Sequence, residues 1–174
     1  MTDPSAPIQA PCESLWDFAA RTYEHEGVAQ RCLRLQDEHG LDVDVLLACL
    51  WRARDDRSVD DVDLDAMVEA AAAARRWVVA IRELRRAVGL ERQADPRWQE
   101  AYEHLRAAEL AAERVELRQL EAAAGPVGAA GGGDPAARAL QAMRRYALRQ
   151  EAGSCDALLA ELVEHALGRP TTPG

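Results

Sequence analysis

Glycines and Asp-Pro pairs divide this chain into segments whose apolar residues recur at three- and four-residue steps. Gly27, Gly40, Gly89 and Gly153 each follow such a segment, and Asp95-Pro96 and Asp134-Pro135 each precede one. Glycine takes the left-handed conformation that ends a helix without steric cost, whereas Asp caps a helix start and Pro fits its first turn. The punctuation therefore predicts helices over roughly 15–25, 28–39, 43–54, 64–88, 95–123, 135–151 and 155–167. Ser14, Asp42 and Ser154 supply further caps. Leu64, Met67, Ala71, Ala74, Val78, Ile81 and Val88 trace one apolar stripe of the fourth helix. At ~1.5 Å per residue, the fourth and fifth helices each span ~35–40 Å, and a short polar loop between them predicts an antiparallel hairpin.

Composition agrees with this pattern. Apolar residues make up 48% of the 174, but they are mostly Ala and Leu, with one Phe and three Tyr. Ala, Leu, Arg and Glu favour helices, whereas strands favour β-branched and aromatic residues. The expected fold is an all-α helical bundle of about six to seven helices with a long central antiparallel helix hairpin. A 1–13 lead, a helical domain over 14–124, a Gly/Ala linker over 125–134, a C-terminal helix pair over 135–168 and a loose tail over 169–174 complete the predicted organisation. Within 14–124, residues 15–51 form a dense core motif and 64–124 the long hairpin.

Charge narrows the partners. All 21 basic residues are Arg, which GC-rich coding accounts for, and the net charge is −9. Residues 1–70 carry 16 acidic side chains against 6 Arg, so nucleic acid and anionic membranes are poor partners for that half. The opening MTDPSAPIQAPCE has neither a basic leader nor a long apolar run, and no stretch of 18 apolar residues occurs. A cytoplasmic location is expected, with Cys12, Cys32, Cys49 and Cys155 reduced.

The segment LWDFAARTYEHEGVAQRCLRLQDEHGLDVDVLLACLW, from Leu15 to Trp51, is specific. Leu15-Trp16-x-Phe18, Tyr23, Gly27-Val28, Cys32-Leu33-x-Leu35-Gln36-Asp37, Gly40-x-Asp42-Val43 and Leu46-Leu47-x-Cys49-Leu50-Trp51 carry its pattern. On those residues the chain resembles a proteobacterial family of small helical proteins defined as a domain of unknown function. The resemblance thins through the fourth and fifth helices, where Trp77, Arg82, Leu84 and Arg85 still fit. It implies a bacterial cytoplasmic protein and supplies no activity, cofactor or catalytic residue.

The polar block at the corner between the second and third helices is the candidate site: Gln36, Asp37, His39 and Asp42, with Trp51 nearby. An amide, carboxylates and an imidazole converge there, although caps and corner hydrogen bonds also explain those residue types. Glu and His adjoin four times, but the Glu-x-x-His spacing of a carboxylate-bridged metal bundle is missing, so no metal and no cofactor is assigned. No H-E-x-x-H, G-x-S-x-G, Walker or G-x-G-x-x-G pattern is present. The Arg-rich stretch from Arg75 to Arg97 reads as a solvated face paired with the acidic first half. Leu110, Leu117 and Leu120 form a second stripe on the fifth helix, available either to the last two helices or to another chain. The favoured function is a non-catalytic module that binds a protein partner or itself. The alternative is a small-ligand binder or enzyme with a polar pocket among helices one to three, using Asp37, His39 and Trp51.

Overall fold

The computed structural model describes residues 13–124 and 132–167. Residues 1–12 of the expected lead, Cys12 among them, the expected loose tail and most of the Gly/Ala linker lie outside these residues. Seven α-helices follow in order: α1 (Leu15–Tyr23), α2 (Val28–His39), α3 (Val43–Arg54), α4 (Asp61–Ala94), α5 (Gln99–Ala123), α6 (Pro135–Arg149) and α7 (Asp156–Leu167). A 3-10 turn at Pro96–Trp98 joins α4 to α5, and no strand occurs among the described residues.

Local chemistry sets most ends where the punctuation put them. The Ser14 hydroxyl accepts the Asp17 N–H at 3.1 Å, and Asp42 accepts the Asp44 N–H at 3.0 Å. Gly40, at φ +68°, ends α2 while its N–H donates to Gln36 O, and Leu41 N–H donates to Leu35 O. That pair of bonds satisfies carbonyls which the helix itself leaves free.

The fourth helix corrects the sequence reading. It starts earlier, because Asp60 and Asp63 form a reciprocal capping box. It also runs through Gly89 to Ala94, giving 34 residues and a length of about 50 Å. A helical Gly costs only ~1 kcal/mol relative to Ala, and its flanks are strong helix formers. A Cβ at Gly89 would stand 3.4 Å from the Tyr102 ring, so the site lies where the two long helices face each other.

The architecture wraps around α3. Eleven of its 12 residues, Val43 to Ala53, are buried. Leu15, Phe18, Leu35, Leu46, Leu47, Leu50, Leu64 and Met67 form the core beside it, together with Met143, Leu159 and Leu162 of the C-terminal pair. Helix α4 contributes Leu64, Met67, Ala71, Ala74 and Val78, the first part of its predicted stripe. Helix α5 returns antiparallel to it: Arg82 and Arg85 meet Glu109, whereas Gly89 meets Tyr102. The buried positions of α4 end at Val78 and those of α5 begin at Glu109. The outer halves of the hairpin thus form an arm whose exposed apolar residues include Leu84, Leu90 and Trp98, with Trp77 exposed at its base. The three cysteines described, Cys32, Cys49 and Cys155, are buried free thiols. No helix among the described residues is long and apolar enough to cross a membrane.

Candidate functional site

A cavity of about 410 Å³ opens where α1 to α5 converge. Trp16, Ala20, Val43, Leu47, Leu110 and Leu117 give it apolar walls, and Gln36, Asp42, Asp44, Arg75, Arg82 and Glu113 bring polar groups to it. These polar residues come from four helices. Asp42 and Asp44 stand at the start of α3, since the cap that begins the helix places one carboxylate beside the first turn and the other inside it. Arg75 and Arg82 lie one heptad apart on α4, and Glu109, Glu113 and Glu116 follow at four- and three-residue steps along α5, on one face.

Arg82 ties the elements together. Its Nε donates to Glu109 Oε1 and one Nη to Glu113 Oε1, both at 2.7 Å, and its other Nη donates to Gln36 Oε1 of α2. Arg85 binds the second oxygen of Glu109. Burial raises the Glu109 pKa, but hydrogen bonds from Arg85 and Arg82 outweigh it and hold the carboxyl below its ordinary value. Glu113, held by one guanidinium, is pushed up by burial despite Arg82.

The second cluster is acidic. Asp42, Asp44 and Glu116 present carboxylate oxygens that all lie within 4.8 Å of one another. Arg75 Nε sits 3.0 Å from Asp42 Oδ2. Asp44 makes no ion pair with the described residues, and burial, reinforced by the charges of Asp42 and Glu113, lifts its pKa well above the carboxylate range. Glu116 is 0% exposed, and neither of its carboxylate oxygens accepts a hydrogen bond from a donor among the described residues. Burial, then contact with Asp42 and the charge of Asp44, push it up to about 10. An unpaired buried carboxylate is costly to ionise, so this position holds a proton or a counter-charge.

The polar block of the sequence is split by this geometry. Gln36 and Asp42 line the cavity. Asp37 does not: it is half exposed and ion-pairs with Arg86 at 2.7 Å. The His39 Nδ1 lies 2.9 Å from the Ala152 carbonyl, which ties the corner to the segment before α7. Trp51 is buried and donates from Nε1 to the Glu13 carbonyl at 2.9 Å. The cavity therefore does not use Asp37, His39 or Trp51. Of the α5 stripe, Leu117 and Leu120 are in the core, 3% and 0% exposed, and only Leu110 reaches solvent, at the cavity rim. Packing within the chain covers the rest.

Asp44, Arg75, Arg82, Glu109, Glu113 and Glu116 were not singled out as a site from sequence. One signal was present: Glu109 and Glu116 fall at core spacing with Ala112 and Leu120 on α5. A charged residue in a core register marks a buried polar site.

The molecule is thus an all-helical bundle with a charged cavity beside its central helix. The chain belongs to the family described as Protein of unknown function (DUF2390), whose model matches residues 14–120 and so includes every residue of the cavity and of the acidic cluster. No curated protein and no solved structure matches the chain.

Proposed function

We propose that this protein binds a small molecule with an apolar body and a polar head in the cavity between α1 and α5. The observation that carries this reading is the convergence of Gln36, Asp42, Asp44, Arg75, Arg82 and Glu113 on one apolar-walled cavity. The volume falls within the range of ordinary ligand sites, and a few convergent polar groups on apolar walls are the usual anatomy of such a site. Stability alone does not account for the charges. A buried ion-pair network is often no better than a well-packed apolar replacement, because desolvation offsets the attraction. Networks of this type at a cavity wall fit recognition better than scaffolding.

A screen of small amphipathic compounds by ligand-observed NMR tests the reading. Ala20 lines the cavity yet is exposed, so Ala20→Trp fills the space without disturbing the core. Hits on the parent that vanish in Ala20→Trp support the proposal. Hits that survive the plug, or none at all, count against it.

A second reading, binding of a protein partner or of a second copy, draws on the α4–α5 arm. Trp77, Leu84, Leu90 and Trp98 are 58%, 54%, 69% and 44% exposed there, more apolar surface than a solvated hairpin needs. Sedimentation of the parent against Trp77→Ala/Leu90→Glu tests self-association: a dimer lost in the variant supports it, and a concentration-independent monomer removes it.

A further inference from the structure

The geometry points to a binding site for one hard divalent cation on Asp42, Asp44 and Glu116, beside the cavity. This goes beyond the small-molecule reading and does not depend on it, since the cation alone is the probe.

Two observations carry the inference. The first is the convergence of three carboxylates from two distant segments, with oxygens within 4.8 Å of one another. The second is that Glu116, with 0% exposure, brings an oxygen into the cluster, and no hydrogen-bond donor among the described residues reaches either of its oxygens. Satisfied buried groups are the rule, and an orphaned buried carboxylate is among the costliest exceptions. The partners of Asp42 leave room for a ligand. Its Oδ1 accepts the Asp44 N–H at 3.0 Å and its Oδ2 faces Arg75 at 3.0 Å, and each carboxylate oxygen has a further lone pair.

Donor chemistry selects the ion. All three donors are carboxylate oxygens, and neither His nor Cys belongs to the group. Such a set suits Mg²⁺, Mn²⁺ or Ca²⁺ rather than zinc or copper. Charge selects the valence: Arg75 balances one of three negative charges, and a divalent ion balances the remaining two. Asp42 and Asp44 also line the cavity, so the ion would border the space assigned to the small molecule. None of the adjoining Glu-His pairs of the sequence belongs to this group, and Glu100, Glu103 and His104 are exposed on the arm.

The test is calorimetric titration of chelator-stripped full-length protein with Mn²⁺ at pH 7.5. The expected result is one saturable site per chain. Asp44→Asn and Glu116→Gln each weaken binding by about tenfold or more, as loss of a ligand does at least as much as loss of its supporting contact. Glu100→Gln, on the exposed arm, leaves it unchanged. A folded parent with no saturable Mn²⁺ site overturns the inference, whatever the variants do. So does binding that persists in both cluster variants.

Discussion

Replacing Arg82 with Met tests whether the polar wall is one interlocked unit. The side chain is 12% exposed and holds Glu109, Glu113 and Gln36 from two other helices. Met keeps much of the stem and removes every donor. Glu109 retains Arg85, but Glu113 loses the guanidinium that binds it and Gln36 loses a charge-assisted bond. Breaking one side of a buried pair costs ~3–5 kcal/mol, because the surviving charge is stranded. Glu113 already lies above its ordinary pKa, so it escapes part of that cost by taking a proton, and about 3 kcal/mol is expected. For a chain of this size that corresponds to a Tm lower by ~6–12 °C. Urea denaturation at pH 7, followed by far-ultraviolet circular dichroism, measures it. Adding Glu113→Gln to Arg82→Met should recover at least ~1 kcal/mol, since the stranded charge is gone. A loss below ~1 kcal/mol in the single variant, or no recovery in the double, would refute the argument that these charges are mutually dependent.

Further outcomes follow from the same packing. Gly40→Ala should destabilise by ~1 kcal/mol because φ is +68°, whereas Gly89→Ala, mid-helix with only ordinary contact to Tyr102, should stabilise by ~0.5–1 kcal/mol; equal effects in denaturation curves would contradict this. Truncation after Ala124 removes Met143, Tyr146, Leu159 and Leu162 from the core; burial of each large apolar side chain contributes ~1.5–3 kcal/mol, so the fragment should lose cooperative unfolding, and an unchanged melting curve would show otherwise. In metal-free protein Glu116→Gln should stabilise. The folded pKa of Glu116, about 10, exceeds the reference 4.5, so the folded state binds the extra proton and stability falls as pH rises between those values. Asp42, Asp44 and Arg75 are the charged groups that set this value from around it. At pH 7 the gap amounts to up to ~3 kcal/mol, and that difference should vanish below pH 4.5. A pH-independent difference between parent and variant would contradict the assignment.

The helices were legible because their ends depend on local chemistry. Ser14, Gly40, Asp42 and Asp95 act within four residues of themselves, and sequence shows such interactions directly. Gly89 misled because one glycine costs a helix only ~1 kcal/mol, which its helix-forming flanks and the facing α5 outweigh. The stripe of α4 was visible in Leu64, Met67, Ala71, Ala74 and Val78, since apolar periodicity reports the buried face. On α5 the face was harder to see: it passes through Glu109 and Glu116, and a reading that follows apolar residues steps aside onto Val115 and Leu110, which are about half exposed. The candidate site was half legible for a related reason. Gln36 and Asp42 belong to a compact motif. Their partners Arg75, Arg82, Glu113 and Glu116 are separated from them by more than 30 residues, and only the register of the α4–α5 hairpin brings them together. His39 and Asp37 share the motif but turn to Ala152 and Arg86, because successive helical residues point in different directions.

The most direct measurement is a ¹³C NMR titration of the side-chain carboxyls in metal-free protein, followed by the same titration with Mg²⁺. The account predicts that Glu116 stays protonated at pH 7 and titrates far above its neighbours on the arm, towards about 10. It also predicts that Mg²⁺ brings this carboxyl into its ionised form at neutral pH. A Glu116 resonance that titrates near 4.5 in metal-free protein would mean that the three carboxylates do not share one buried site.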